Sequence, residues 1–386
     1  MGLHAAGTRR LVQRHRARAQ VRRSHARTVC AARRRGGDSG ADALLAAAEL
    51  SVRVFTRSDV ETLLGYPACI EEMRAAMIAT SARRCVLPLR QFMPIPERPG
   101  KLGLMPGYLG GNDECFGVKI VSKFERPAGD PHGSHVGAVM LFAAATGLPV
   151  ALIEGGMLTA IRTASMTAAA TAALARADSR HLLIVGAGEE AWHHARAVLG
   201  VRPFESVTIW ARDSKRAGQL VARLTMTHDE NSAGQRPRWQ VADDLARAFS
   251  SADVVCTVTS AKTPIISGEW CRAGQHLNLV GSAIPTTAEV DDLTVSRARF
   301  FVDYREAAFA AAGELLGAIS RGVVDASHVR GEIGEVFAGH CTGRETDTDI
   351  TLYKSLGVTT QDLAAGMRLM RDAAAIGAGV ELALDA

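Results

Sequence analysis

The chain has 386 residues, of which 47% are hydrophobic, and it carries 45 Lys and Arg against 40 Asp and Glu. This length and composition exclude a disulfide-rich miniprotein, a collagen-like fibre and a fully disordered chain, and they leave room for two domains. Residues 1–36 hold eleven arginines and no acidic residue, so the rest of the chain has 34 basic and 40 acidic residues. An acidic body gives no reason to expect nucleic-acid binding.

The arginine-rich stretch belongs to a segment, residues 1–48, that has no apolar stripe of helical period. Such a segment cannot bury enough surface to offset its ordering entropy, so we predict a disordered tail. Three roles stay open for it: nucleic-acid binding, an organelle transit peptide, or an extension without function. We favour the last, because the segment has no aromatic residue to stack on bases and is poor in serine.

Cysteine usage and hydropathy bear on the compartment. The seven cysteines are scattered and form no C-x-x-C pair, which is typical of reduced thiols and predicts neither a disulfide framework nor a metal site. No apolar run approaches the ~20 residues that a membrane span needs. We therefore expect a cytoplasmic protein without a membrane partner.

The first half of the body predicts helices followed by a mixed or antiparallel sheet. A strand at 52–55 leads into a helix with Ser58 as its N-cap, and a second helix covers about 68–82. A long alanine-rich helix is expected at about 158–175. Between these helices, Gly and Pro punctuate short apolar segments that predict strands at 90–93, 102–106, 117–121, 136–143 and 149–154.

From residue 181 onward, strands and helices alternate. Helices are expected from the end of the first strand to about 199, near 214–224 and near 243–249. The predicted strands are 181–185, 206–210, 239–241, 254–258, 276–280 and 300–302. This alternation is typical of an α/β fold with a doubly wound parallel sheet of the Rossmann type.

A glycine-rich turn joins the first of these strands to its helix. Its pattern, Gly186-Ala187-Gly188-Glu189-Glu190-Ala191, fits the G-x-G-x-x-G/A fingerprint of dinucleotide sites in the required strand–turn–helix context. The first glycine permits a tight turn, and the second lets the backbone approach a pyrophosphate at the N-terminus of the helix. We therefore expect residues 186–190 to bind a dinucleotide.

The end of the second strand decides between the two nicotinamide cofactors. NAD sites usually place an acidic residue there to hold the ribose hydroxyls. This chain has Ala211, followed by Arg212, Asp213 and Lys215. Arg212 can pair with a 2′-phosphate, which favours NADP, and we include Lys215 in the same site. NAD stays possible if the Asp213 carboxylate turns inward.

Several motifs together resemble the ornithine cyclodeaminase/mu-crystallin family over about residues 53–374. They are Leu87-Pro88-Leu89-Arg90, Gly103–Tyr108, Val118–Val121, Leu158–Ala164, the glycine-rich turn, Asn278–Ser282, Ala312–Leu315, Tyr353–Gly357 and Gln361-Asp362. The resemblance implies a homodimer that pairs through a substrate domain. That α+β domain would comprise residues 49–165 and C-terminal helices within 326–386, and residues 166–325 would form the Rossmann domain.

The resemblance also implies a substrate site. It assigns Arg90, Lys119 and Arg162 to the carboxylate of a small amino- or imino-acid substrate, which agrees with the need of a buried carboxylate for paired cations. Burial should lower the pKa of Lys119 and suit it to proton transfer. To the cofactor site the resemblance adds Thr163, Thr259, Ser260, Gly281 and Ser282.

Two positions depart from the cyclodeaminases of this family. Gly103 stands where they carry an acidic residue, and Ala261 replaces the Asp that handles the substrate amines. Both losses argue against cyclisation of ornithine. We therefore expect an NAD(P)H-dependent imine reductase or amino-acid dehydrogenase. A cyclodeaminating lyase that uses another acid and a non-catalytic NADPH-dependent ligand binder stay as alternatives. The candidate acids are Glu289, Asp291 and Asp303, and the pocket candidates are Phe92, Met93, Met105, Ser282 and Ile284.

Overall fold

Two sheets organise the part of the chain that the computed structural model describes, namely residues 50–111, 113–124, 136–227 and 229–385. The chain from Ser51 onward forms one unit by its internal contacts. The predicted tail, residues 1–48, lies outside the described residues. None of the described helices is both long enough and apolar enough to cross a membrane.

The first sheet is mixed, as the sequence predicts. Its strand order is β16-β1-β7-β6-β5-β4-β2, with β3 paired to β4, and every pair is antiparallel except β1 with β7. The strands are β1 (Ser51–Phe55), β2 (Cys85–Val86), β3 (Gln91–Pro94), β4 (Gly100–Leu109), β5 (Cys115–Phe124), β6 (Val136–Ala143), β7 (Pro149–Glu154) and β16 (Val380–Ala383).

Helices pack against the inner face of this sheet and complete its core. They are α1 (Arg57–Leu63), α2 (Tyr66–Ser81), α3 (Gly155–Leu174) and α11 (Thr359–Ile376). The predicted N-cap Ser58 is wrong: Thr56 caps α1, because its hydroxyl and the Asp59 carboxylate reciprocally accept each other's backbone N–H groups. The start of α3 is set by Glu154, whose carboxylate accepts from the Gly156 and Met157 amides at 2.7 and 2.8 Å.

The second sheet is parallel throughout, which confirms the doubly wound prediction. Its order is β10-β9-β8-β11-β12-β15-β13-β14. The strands are β8 (His181–Val185), β9 (Ser206–Trp210), β10 (Arg238–Val241), β11 (Val254–Thr257), β12 (His276–Leu279), β13 (Arg299–Val302), β14 (Val329–Glu332) and β15 (Thr351–Lys354). The chain order reverses between β8 and β11, and ligands of such sheets bind at the carboxyl ends of the strands beside this switch point.

Short helices connect these strands. They are α4 (Glu189–Leu199), α5 (Ser214–Thr225), α6 (Leu245–Ser251), α7 (Asp292–Arg297), α8 (Arg305–Ala311), α9 (Gly313–Ser320) and α10 (Ile333–Phe337), with single 3₁₀ turns at Gly268–Trp270 and Ala326–His328.

The C-terminal segment differs from the sequence expectation of helices alone. It contains the expected long helix α11, but β14 and β15 belong to the second sheet, and β15 lies between β12 and β13. The run Thr351-Leu-Tyr-Lys354 gives no apolar signal, yet the whole strand is buried. Lys354 can be buried because its ammonium lies 3.2 Å from a carboxylate oxygen of Glu314.

Candidate active site

A cleft of about 1420 Å³ crosses the carboxyl ends of the second-sheet strands and reaches β4, β5 and α3. It brings most of the predicted site residues together along one surface. Those that line it are Arg90, Lys119, Arg162, Thr163, Gly186, Ala187, Gly188, Glu189, Glu190, Arg212, Thr259, Ser260 and Gly281. Lys215 and Ser282 are not among the lining residues.

At one end of the cleft, two of the three predicted cations share one carboxylate. Lys119 on β5 and Arg162 on α3 both donate to Oδ1 of Asp362, at 3.1 Å from Nζ and 2.9 Å from Nε. Arg162 also donates from Nη1 to Oε1 of Gln361 at 2.7 Å. Lys119, Arg162 and Asp362 are almost completely buried, and no donor among the described residues reaches Oδ2 of Asp362.

The third cation, Arg90, is held by the loop that follows β15. Its Nη2 donates to the carbonyls of Leu356 and Gly357 at 2.7 and 3.0 Å. The amides of the same two residues donate to Oδ2 of Asp303, both at 2.8 Å. The loop therefore has a fixed shape and positions Arg90. Among the described residues nothing bonds Nε and Nη1 of Arg90, so these two donors can meet another anion. We call Arg90, Lys119 and Arg162, with Asp362, the cation clamp.

Burial sets the charge state of the clamp. It lowers the pKa of Lys119 to about 8, although Asp362 acts in the opposite direction. Burial would raise the pKa of Asp362, but Arg162 and Lys119 outweigh it and hold that pKa below its usual range. Asp362 is therefore ionised at neutral pH, and Lys119 exchanges its proton close to neutrality.

Burial also shifts the pKa of two further groups that line the same cleft. Burial raises the pKa of Glu190 to about 8, against the opposing effect of Arg162. It lowers the pKa of Lys123 to about 8, and the neighbouring cations Arg90 and Lys101 act in the same direction. At neutral pH, Glu190 is therefore mostly a neutral acid.

The glycine-rich turn has the shape that a dinucleotide requires. Gly186 has φ +135°, and a Cβ there would lie 2.9 Å from the Val258 carbonyl. A Cβ on Gly188 would meet nothing within 4 Å, which leaves room beside the backbone. Gly188 caps α4 without a side-chain hydrogen bond to the first amides of the helix. These N–H groups and the helix dipole are suited to bind phosphate.

The end of β9 presents cations to the cleft, and its acidic residue caps the next helix. Ala211, Arg212 and Arg216 all line the cleft. Asp213 also borders it, but the carboxylate caps α5 and accepts from the amides of Lys215 and Arg216 at 3.0 and 3.3 Å. Oδ1 of Asp213 is therefore engaged by the protein's own helix.

One buried carboxylate fixes the loops after β11 and β12. Glu289 accepts from the Thr259 amide and hydroxyl at 2.9 and 2.7 Å through Oε1, and from the Gly281 amide at 2.8 Å through Oε2. Thr259 and Gly281 are thus held at the cleft wall. Ser282 instead donates its hydroxyl to the Thr287 carbonyl at 2.6 Å, while the next residue, Ala283, faces the cleft.

Sequence reasoning missed the roles of Gln361, Asp362 and Lys123. The Gln361-Asp362 pair supports the resemblance, but no role followed from it. The available signal was an acidic residue, Asp362, at the end of a polar first turn and directly before the apolar run Leu363-Ala-Ala. The structure buries both the turn and the run. Lys123 lies four residues after Lys119 on the same strand, so both side chains point to one face of the sheet.

The sequence and the fold both have known counterparts. Residues 51–377 match the model of the ornithine cyclodeaminase/mu-crystallin family. The chain is 31% identical to Delta(1)-pyrroline-2-carboxylate reductase of Bacillus cereus, over 84% of this chain and 98% of that protein. It is 33% identical to ketimine reductase mu-crystallin of Mus musculus, over 72% of this chain and 82% of that protein.

Two solved structures share the fold. One is Thermococcus litoralis Delta(1)-pyrroline-2-carboxylate reductase in complex with NADH and L-proline, with a TM-score of 0.80, 29% identity, and coverage of 85% of this chain and 99% of that one. The other is an archaeal alanine dehydrogenase dimer with bound NAD, with a TM-score of 0.78, 26% identity, and coverage of 86% and 99%.

Proposed function

Since the chain belongs to the ornithine cyclodeaminase/mu-crystallin family and is an NAD(P)H-dependent oxidoreductase, we propose that it uses NADPH to reduce a small imine that carries a carboxylate. The substrate would be a cyclic ketimine, or the imine of a 2-oxo acid and an amine. The product is a cyclic or N-substituted amino acid, and the reverse reaction is that of an amino-acid dehydrogenase.

The observation that carries this proposal is the cation clamp at one end of the cleft whose other end holds the glycine-rich turn. A carboxylate bound there meets Arg90, Lys119 and Arg162, which is the pairing that a buried anion requires. Among the relatives, the Thermococcus litoralis complex holds L-proline, a cyclic amino acid with a carboxylate next to its nitrogen.

The chain's own side chains are suited to the proton transfer that accompanies reduction of the imine. When bound, the reduced nicotinamide supplies the hydride. The clamp orients the carboxylate, and so the imine carbon and nitrogen, within the cleft. Lys119 holds a proton on Nζ with a pKa of about 8, which lets it donate to the substrate nitrogen, directly or through a held water, near neutral pH.

The cofactor would lie along the glycine-rich turn, with its phosphates at the amides that begin α4. We propose NADPH rather than NADH, because Ala211 cannot bind a ribose hydroxyl and Arg212 and Arg216 face the cleft. Asp213 supports this choice, since its carboxylate already caps α5.

The cyclodeaminating lyase receives no support from the candidate acids. Glu289 bonds the loops at Thr259 and Gly281, and Asp303 bonds the amides of Leu356 and Gly357. Asp291 caps α7. Each is engaged in holding backbone, so none replaces the missing acid at Ala261.

A panel of substrates tests the proposal. NADPH absorbance should fall with Delta(1)-pyrroline-2-carboxylate and with pyruvate plus methylamine. Formation of proline and ammonia from ornithine, without net change of the cofactor, would establish the lyase instead. Tight NADPH binding without turnover of any compound would leave the ligand binder.

We also propose a homodimer that pairs through the outer face of the first sheet, and a cytoplasmic location. This outer face is apolar: Phe116 and Phe142 stack with ring centroids 5.1 Å apart, and Ile120 is 40% exposed. The cytoplasmic location is supported by the cysteines, since those of the described residues are free thiols, which fits a reducing compartment. Sedimentation of the wild type and of Ile120→Asp tests the dimer, which the charge should split into monomers.

A further inference from the structure

A second cavity, of about 220 Å³, adjoins the cation clamp. It shares with the cleft the side chain of Arg90 and the residues Phe92, Met105, Ala283, Ile284 and Gly357. Arg90 therefore stands in the boundary between the two spaces, and a group bound to its guanidinium lies at the mouth of the smaller one. We call this cavity the side pocket.

The walls of the side pocket are apolar. They come from residues 87–89, from Pro285, and from one face of α8, where Ala307, Ala310 and Ala311 leave room because their side chains are methyl groups. Arg90 is the charged residue in the lining, and Thr359 already donates its hydroxyl to the Met105 carbonyl at 3.3 Å. Water in such a pocket finds few partners, whereas a hydrocarbon group loses nothing by entering.

We propose that the side pocket binds an apolar side chain on the imine carbon of the substrate, so that the enzyme prefers 2-imino acids with aliphatic or aromatic side chains of four or more carbons. The inference rests on the proposed function. The carboxylate and the side chain leave the same carbon atom, so a carboxylate on Arg90 places the side chain at the mouth of the pocket. The opposite side of the substrate then faces the cleft and the glycine-rich turn.

The size of the pocket sets the expected gain. Liquid water occupies about 30 Å³ per molecule, so the pocket has room for several carbon atoms. Each methylene that moves from water into apolar surroundings should raise kcat/KM about fourfold, until the pocket is full. An acidic or hydroxylated side chain of the same length should gain less, because the described lining offers it the Arg90 guanidinium, which the carboxylate occupies, and the Tyr304 hydroxyl.

A chain-length series measures this gain. NADPH oxidation is followed with methylamine and pyruvate, 2-oxobutyrate, 2-oxopentanoate, 2-oxohexanoate or phenylpyruvate, and 2-oxoglutarate serves as the polar control. We expect kcat/KM to rise about fourfold per methylene and to stay low with 2-oxoglutarate. A flat or falling series would overturn the inference.

A second test fills the side pocket by substitution. Ala311→Phe should lower kcat/KM for 2-oxohexanoate at least tenfold and leave that for pyruvate within about twofold. Ala311→Ser is the size-matched control and should behave like the wild type. If Ala311→Phe does not fold, Leu89→Trp takes its place, because Leu89 lines the pocket and is 52% exposed. Equal losses for long and short substrates would refute the assignment.

The two proposals fail differently. If Delta(1)-pyrroline-2-carboxylate is reduced but chain length and Ala311→Phe have no selective effect, only the side pocket is misassigned. If no imine in either panel oxidises NADPH, the proposed function itself is wrong and the pocket assignment falls with it.

Discussion

Replacing Asp362 by Asn tests how the cation clamp controls its own proton. The substitution keeps the shape of the side chain and removes a buried negative charge 3.1 Å from Nζ of Lys119. Loss of this charge favours the neutral amine. The pKa of Lys119, now about 8, should therefore fall.

The distance between the charges of Asp362 and Lys119 bounds the size of the pKa shift. A charge pair at 3.1 Å is worth about 1 kcal/mol at the dielectric constant of water and about 5 kcal/mol at an effective value near 20. Since 1.36 kcal/mol corresponds to one pKa unit, the pKa of Lys119 should drop by at least about one unit. With a pKa near 7, roughly a tenth of Lys119 would be protonated at pH 8, against about half in the wild type.

The assay is the pH dependence of kcat/KM for imine reduction. We expect the variant to be about fivefold less active than the wild type at pH 8 and nearly equal at pH 6. Titration of the imine itself affects both enzymes alike and cancels in their ratio. An unchanged alkaline limb in Asp362→Asn would show that Lys119 is not the group that titrates.

Asp253→Asn is a matched control, because Asp253 is also a buried, ion-paired carboxylate. It directly precedes β11, at the amino ends of the second-sheet strands and so away from the cleft. Its carboxylate accepts from the amides of Arg180 and His181 at 2.8 and 3.0 Å and from the Arg272 side chain at 2.8 Å. This substitution should lower the melting temperature without moving the alkaline limb.

Five further substitutions test the cofactor site. Arg212→Ala should raise KM for NADPH at least tenfold and leave KM for NADH unchanged, whereas Lys215→Ala, outside the cleft lining, should affect neither. Glu190 ionises above about pH 8 beside the predicted phosphate site, so the affinity for NADPH should weaken above that pH in the wild type. In Glu190→Gln the affinity should not change with pH in this way, and titration calorimetry measures both. Gly188→Val should fold with a normal melting temperature but lose NADPH binding. Gly186→Val should lower the melting temperature, because its φ of +135° and the Val258 carbonyl at 2.9 Å oppose a side chain.

The elements that the sequence predicted correctly are those that a few consecutive residues reveal. The apolar strand β8 and the turn that follows it are found where the sequence places them, because burial on both faces and the glycine spacing are written in consecutive residues. The strand β15 was missed for the opposite reason. It is a short strand of two polar and two apolar residues that ends in a lysine. The burial of Lys354 depends on Glu314, forty residues away, whose carboxylate pairs with the ammonium.

The clamp shows the same limit at the level of function. Arg90, Lys119 and Arg162 could be named from motifs, and the structure brings them to one cleft. Their electrostatic partner, Asp362, could not be named in this way. It is about 240 residues from Lys119 in the sequence and contacts it because α11 packs on the first sheet. An acidic residue directly before an apolar helical segment indicates a partner, but the sequence does not say which one.

Under the proposed function, the charges of the clamp should favour a carboxylate before any substrate arrives. The clamp has three cations and one ionised acid, which Lys119 and Arg162 share, so it carries a surplus of positive charge. Burial lowers the pKa of Arg90 and of Lys119, and the charge of Arg162 acts in the same direction. Arg90 relieves part of this surplus by donating to carbonyls, but these dipoles carry no net charge. A substrate carboxylate supplies the second anion, and its charge raises the pKa of Lys119. On this proposal, binding protonates the lysine at the moment when the imine nitrogen needs a proton, whereas a neutral imine of the same shape would leave Lys119 largely without its proton above pH 8.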